Sequence, residues 1–284
     1  MIRGAVAAGA LRASSRWDRR RIYAALVFIP LFYVLVRYLP SIALFGLVVG
    51  ASWLALIELY RLHFHSKPAT VEITIGAAMT TIVLSHLQWP EALPLHPLFV
   101  FIVAATLLLY LLSKQDLSRS LVDVSVLIFG TLYIGFTLGH LLLTRALPDG
   151  IFLVFFVVLV TWAGDTGAYY AGMIMGRTPL APRISPNKTV EGLFGGILLA
   201  IAIALIARAW FIPSLTVVDA VVLGFVLTLA GLIGDLSESM FKRGAGVKDS
   251  GGLIPGHGGM LDRLDSLLLT APTYYYYVTL VKGS

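Results

Sequence analysis

Nine apolar stretches follow one another along the chain: 22–39, 41–59, 71–88, 96–112, 122–143, 150–174, 193–212, 217–238 and 264–281. A helix needs about 20 apolar residues to cross a hydrocarbon core. The pattern therefore predicts an all-α, polytopic integral membrane protein with about nine transmembrane helices. The first two stretches meet at Pro40–Ser41, which predicts a tight turn there. Stretches 150–174 and 217–238 contain acidic residues and are the least regular as lipid-facing spans. Three regions follow: a basic arm over 1–21, N-terminal membrane helices over 22–149, and a C-terminal region over 150–284 that holds the polar loops.

Composition agrees with this pattern. Of the 284 residues, 58% are hydrophobic and 13% charged, against about 25% charged in an ordinary soluble domain. Mean hydropathy is +0.88. A soluble globular enzyme, a disordered chain and a coiled coil are excluded. With no cysteine, thiolate nucleophiles, disulfides and cysteine-ligated zinc or iron–sulfur sites are excluded too. The net charge of +6 reads as a cytoplasmic basic bias beside anionic lipid, not as a nucleic-acid surface. With the N-terminus inside, 17 Lys and Arg residues fall in inside segments and 4 outside, namely Arg37, Arg145, Arg208 and Lys282. That bias predicts a cytoplasmic N-terminus in the cell inner membrane and an external C-terminus.

Smaller features change the picture less. Residues 1–15 are rich in Ala and Arg and lack acids; a basic arm on anionic lipid is favoured over a transit peptide. The pairs Gly46/Gly50, Gly135/Gly139 and Gly172/Gly176 suit close helix packing. The Tyr274–Tyr277 run suits an aromatic belt.

Chemistry concentrates in two inside segments. The first starts in span 150–174 with Asp165, about 22 Å deep at about 1.5 Å per residue. An ionised Asp at the bilayer centre costs at least about 2.5–3.5 kcal/mol. A metal, a basic partner or a water-filled cavity must offset that. The second begins at the end of span 217–238. Asp235, Glu238, Ser239 and Lys242 are spaced to share one helix face. A Glu238–Lys242 salt bridge accounts for two of them and leaves Asp235 unexplained. Seven of the sixteen residues 244–259 are glycine, so this loop can present backbone N–H groups to phosphate. It also holds Lys248, Asp249 and His257. Asp262 and Asp265 follow at the start of the last span, where a carboxylate can cap the helix or hold a cation.

Topology joins these pieces. Spans 150–174 and 217–238 run inward and 264–281 runs outward, so Asp165, Asp235, Asp262 and Asp265 share the cytoplasmic face. Hard oxygen ligands without His or Cys favour Mg²⁺. Arg183, Lys188, Lys242, Arg243, Lys248 and Arg263 surround them. Carboxylates, cations and a glycine loop suit Mg²⁺ with several phosphates, and the interfacial position suggests that one phosphate belongs to a lipid.

The segment from Ser239 to Asp265 resembles the signature of the phosphatidate cytidylyltransferase (CDP-diacylglycerol synthase) family. That signature is matched by Ser239, Phe241, Lys242, Arg243, Lys248, Asp249, Gly251, Pro255, His257, Gly258, Gly259, Met260, Asp262, Arg263, Leu264 and Asp265. Asp165–Tyr169 and Leu180–Gly192 form a second block similar to the family. The strong resemblance covers about residues 160–270. It implies an all-helical dimer that condenses CTP with phosphatidic acid in the membrane, needs Mg²⁺, and releases CDP-diacylglycerol and pyrophosphate. It also implies that Asp235 and Asp262 hold metal.

The residues suit that chemistry. A phosphatidate oxygen is already an anionic nucleophile, so the barrier is the approach of two anions. Lys242, Lys248, Arg263, Ser239 and Asp249 are expected to be catalytic, the three cations holding the triphosphate or departing pyrophosphate and Asp249 a possible metal ligand. Arg183, Ser185, Lys188, Arg243, Gly258 and Gly259 are expected to bind substrate. Asp165 and Asp265 join the metal candidates. His257 is a general acid or a structural donor. A transporter would spread its acids through the bilayer, and the Asp-Gly-x-x-Ala-Arg motif of CDP-alcohol phosphotransferases is absent.

Overall fold

The computed structural model describes residues 32–64, 69–92, 94–112, 117–248, 250–251 and 259–283. The basic arm over 1–21 and much of the first span therefore lie outside the described residues. Packing divides the chain into Met1–Ala43 and Leu44–Ser284. In the first unit residues 32–38 are helical, and Ala43 N donates to Pro40 O at 2.9 Å. This is the turn that Pro40 predicts, since the residue before a proline disfavours helix.

From there the chain is helix after helix: α1 (Ser41–His63), α2 (Thr70–Gln88), α3 (Leu95–Leu112), α4 (Ser120–Ala146), α5 (Gly150–Met175), α6 (Val190–Trp210), α7 (Val217–Gly244) and α8 (Leu261–Tyr276). Two stretches open into wider turns, Thr131–Phe136 within α4 and Tyr277–Val281 after α8. Helices suit a bilayer because they satisfy their own backbone polar groups. Large apolar side chains such as Phe101, Leu108 and Leu111 on α3, and Phe194, Leu198 and Ile206 on α6, stay exposed. They form the surface expected of a chain solvated by lipid. The protein is an all-α, multi-pass membrane protein.

The count of nine spans needs correction. Among the described residues six helices, α1, α2, α4, α5, α6 and α7, are long and apolar enough to cross a membrane. The apolar run of α3, His96–Leu112, is shorter. Helix α8 contains Asp262, Asp265 and Pro272, which lower its apolar content. Helix α7 also runs on to Gly244, because its polar last turns remain packed on the motif residues that follow.

Small residues set the packing. Tyr60 is fully buried and donates to Leu127 O at 2.7 Å. A Cβ on Gly76 or Gly130 would lie 2.3 or 2.5 Å from its ring, so α1 is wedged between α2 and α4. Helices α5 and α6 meet through glycine: a Cβ on Gly167 would fall 2.6 Å from Gly195 O, and one on Gly196 2.8 Å from Gly164 O. Gly234 brings α7 onto α8, its Cβ position lying 2.2 Å from Asp265 O. Gly135, Gly139, Gly172 and Gly176 also sit in close contacts, whereas among the described residues nothing lies within 4 Å of a Cβ on Gly46 or Gly50.

The loop between α5 and α6 holds a hairpin that the apolar pattern did not reveal. Strands β1 (Pro179–Ala181) and β2 (Ser185–Thr189) pair antiparallel, Pro179 opposite Thr189 and Ala181 opposite Ser185. Glu191 closes its base, accepting from Arg177 N at 3.0 Å and from the Thr178 N and Oγ1. Thr189 caps α6 by accepting from Gly192 N at 3.1 Å, the role typical of an N-cap threonine.

Candidate active site

The hairpin puts Lys188 onto α7. Its Nζ donates to Asp235, whose Oδ1 also lies 3.5 Å from Ser239 Oγ one turn on. From α8, Ser266 Oγ donates to Asp165 Oδ1 at 3.2 Å, while its backbone N–H donates to Asp265 Oδ1 at 2.6 Å. Asp265 lies within electrostatic range of Asp235, Asp165 and Lys188. Three carboxylates from α5, α7 and α8 thus share one region with one hairpin lysine. The glycine contact at Gly234 is what lets α7 and α8 approach so closely.

A second group adjoins it one turn along α7. Lys242 Nζ lies 2.5 Å from both Glu238 Oε2 and Asp262 Oδ1. The shared helix face expected of Asp235, Glu238, Ser239 and Lys242 is therefore present. Asp262 Oδ2 accepts from Gly259 N at 2.8 Å and lies 3.0 Å from Ser250 Oγ. Asp262 thus accepts from the segment before α8 with one oxygen and faces the Lys242 ammonium with the other. Glu238 is 1% exposed, and its Oε1 is buried without a hydrogen bond among the described residues.

Two further residues of this region carry no sequence motif. Glu58 of α1 is 2% exposed and accepts from Met260 N at 2.9 Å, Leu261 N at 2.8 Å and Ser250 Oγ at 3.1 Å. Tyr133 lies in the wide turn of α4, stacked on Phe129 at 5.2 Å and edge-on to Phe241 at 5.6 Å. Its hydroxyl is buried without a hydrogen bond among the described residues, within electrostatic range of Asp265, Glu238 and Asp235. A polar residue inside an otherwise apolar span is the signal that could have marked Glu58.

The remaining candidates surround this core. Arg183 is exposed in the hairpin turn and Ser185 begins β2. Arg243 reaches Ile184 O at 3.4 Å and Val247 O at 3.2 Å, joining the hairpin to the end of α7. Lys248 and Arg263 are exposed, and Gly259 is buried beside Ser250 and Glu58. Asp249, His257 and Gly258 lie outside the described residues.

The donor chemistry fits a hard divalent cation. Carboxylate oxygens from Asp165, Asp235 and Asp265 gather beside Lys188, and Glu238 has an oxygen to spare. Among the described residues no group of three His, Asp or Glu side chains is placed to hold a metal ion by itself.

Residues 19–281 match the model of a cytidylyltransferase family. The chain belongs to this family. Among its relatives is the phosphatidate cytidylyltransferase of Bacillus subtilis, 32% identical over 260 residues that span 91% of this chain and 95% of the relative. The phosphatidate cytidylyltransferase of Staphylococcus epidermidis is 34% identical over 256 residues, 88% of this chain and 94% of the relative. That of Haemophilus influenzae is 46% identical over 138 residues, covering 46% and 48% of the two chains. Family membership thus extends well beyond the two motif blocks and takes in the helices that bear Glu58 and Tyr133.

Proposed function

We propose that this protein transfers a cytidylyl group from CTP to phosphatidic acid, forming CDP-diacylglycerol and pyrophosphate for phospholipid synthesis. A phosphatidate oxygen bonds to the α-phosphorus of CTP, and the bond from that phosphorus to the β-phosphate bridging oxygen breaks. The observation that carries this reading is the convergence of Asp165, Asp235 and Asp265 with Lys188, next to Lys242 and Asp262, at the end of an apolar helical bundle. Soluble nucleotide and membrane lipid can meet there.

Each residue has a task. Lys188, already paired with Asp235, offsets phosphate charge when substrate arrives. Lys242 holds Asp262 in place and offers further N–H donors. Arg183, on the hairpin turn, suits an anionic head group, and Arg243 fixes the hairpin against α7. Asp235 and Asp262, with Asp165 and Asp265 close to the first, would hold Mg²⁺. When bound, the ion supplies charge neutralisation for two anions that must approach each other. The basic bias of the inside segments supports a cytoplasmic site in the inner membrane, and the family resemblance supports a homodimer.

The test is direct. Purified protein in detergent micelles receives labelled CTP, phosphatidic acid and Mg²⁺, and lipid-soluble label and pyrophosphate are measured. Equal yields of CDP-lipid and pyrophosphate are expected, and chelation should abolish both. Absence of a lipid-soluble cytidylyl product from well-folded protein would overturn the assignment.

A further inference from the structure

We infer that Glu58, on α1 and far from both motif blocks in sequence, is a positioning residue of the active site; the inference rests on the cytidylyl-transfer reading. Its carboxylate joins the two described ends of the motif loop. Oε1 accepts from Met260 N at 2.9 Å, and Oε2 accepts from Leu261 N at 2.8 Å and lies 3.1 Å from Ser250 Oγ. The first N–H groups of a helix have no partner within it, so Glu58 satisfies donors that α8 leaves open. Gly259 and Gly251 make room for it: a Cβ would lie 2.3 Å from Glu58 Oε2 at Gly259 and 3.2 Å from its Cγ at Gly251.

The effect reaches Asp262 by two routes. One is the backbone, since Met260 and Leu261 immediately precede it. The other is Ser250, whose hydroxyl lies 3.0 Å from Asp262 Oδ2 as well as 3.1 Å from Glu58 Oε2. A hydroxyl has one hydrogen to donate, so the position of Ser250 is set jointly by both carboxylates. Two residues beyond Glu58, the buried Tyr60 hydroxyl ties α1 to Leu127 O at 2.7 Å. The N-terminal helices thereby hold the start of α8, and with it a candidate metal ligand, at a fixed place.

Glu58→Gln, Ser250→Ala and the double variant, each as the full chain in detergent micelles, separate this role from simple stabilisation. Two quantities are read: kcat and KM for CTP, and the Mg²⁺ concentration giving half of the Mg²⁺-induced rise in melting temperature. Residues that orient a ligand typically change metal affinity or activity by about 10–100-fold. Glu58→Gln is expected to lower kcat by about 10-fold and to raise the Mg²⁺ midpoint by a similar factor. The double variant should lose much less than the product of the singles, because both act through one bridge. If Glu58→Gln fails to fold, Glu58→Asp keeps both oxygens but withdraws them by one methylene, and it should shift the Mg²⁺ midpoint in the same direction. A lower melting temperature with wild-type kcat, KM and Mg²⁺ midpoint would reduce Glu58 to a helix cap and overturn the inference. Wild-type protein that makes no CDP-lipid defeats the cytidylyl-transfer reading itself, whereas an active wild type with an unaffected Glu58→Gln variant defeats only this inference.

Discussion

Helix α7 carries an aspartate in its first turn and another about two-thirds of the way along, and the two are surrounded very differently. Asp219, in the first turn, accepts from Thr216 N at 2.7 Å, Thr216 Oγ1 at 2.8 Å, Tyr277 Oη at 2.8 Å and Lys282 Nζ at 2.8 Å. One carboxylate there meets several donors. Asp235, sixteen residues on, pairs with Lys188 and has Asp165 and Asp265 nearby, and Glu238 in the next turn has an oxygen without a hydrogen bond among the described residues. Among the described residues, the carboxylates at that end outnumber the lysines paired with them. The first arrangement ties down a helix and the chain end. The second still calls for positive charge, which a divalent cation and its phosphate ligands would bring. Acidity alone does not separate a structural aspartate from a functional one; the balance of donors around it does.

The largest effect should come from removing charge at the crowded end. Asp262→Asn keeps one carbonyl oxygen for Gly259 N or Ser250 but loses the anion facing Lys242. Losing one transition-state electrostatic contact costs about 10²–10³-fold in rate, so kcat should fall by about 10²-fold or more. Stability should change by only about 1 kcal/mol, the scale of one hydrogen bond. Asp235→Asn should behave alike, and the double variant should lose much less than the product because both serve one centre. Initial rates and thermal unfolding on the same preparations check this. Near-normal turnover by Asp262→Asn at saturating Mg²⁺ and CTP would leave only its hydrogen bond to Gly259 as a role.

How much of this was legible beforehand follows from where each signal resides. Asp165, Asp235 and Asp265 were expected together because basic loops set helix direction and direction sets which ends coincide. Ser239 and Lys242 followed from helical spacing. Glu58 stands out in the sequence only as an acid inside an apolar span; its role was not legible, because two of its three partners are backbone N–H groups about 200 residues away and carry no residue signature. Tyr133 depends on a local widening of α4 that apolar periodicity does not show. The hairpin over Pro179–Thr189 is too short and polar for a period to emerge, yet it delivers Lys188 to Asp235.

The opposite end should break in the opposite sense. Asp219→Ala removes charge-assisted hydrogen bonds from Tyr277, Thr216 and Lys282. Hydrogen bonds to charged groups contribute about 1.5–3 kcal/mol, and the Lys282 pair adds little because it is partly exposed to solvent. A loss of about 1.5–3 kcal/mol and a lower melting temperature are expected, with kcat per folded molecule unchanged. A fall in kcat comparable with that of Asp235→Asn, at unchanged stability, would abolish the distinction between the two ends.

The smallest effect tests whether the donor-rich end is built from separable parts. Thr216 caps α7, its Oγ1 accepting from Asp219 N at 3.1 Å, while Asp219 returns a bond to Thr216 N. This reciprocal pair is a capping box, which satisfies two N–H groups that the helix cannot satisfy itself. Thr216→Ala deletes the hydroxyl and keeps the backbone half of the exchange, so Asp219 still accepts from residue 216 N, Tyr277 and Lys282. Replacing a threonine cap by alanine costs about 0.5–2 kcal/mol. The lower part of that range is expected here, because three of the four donors to Asp219 survive. Asp219→Ala should therefore destabilise more than Thr216→Ala, and the two together should cost less than their sum, since each removes part of the same box. Thermal unfolding of the two single variants and the double variant measures that difference. Strict additivity would mean that Thr216 and Asp219 act independently and that the capping box does not work as a unit.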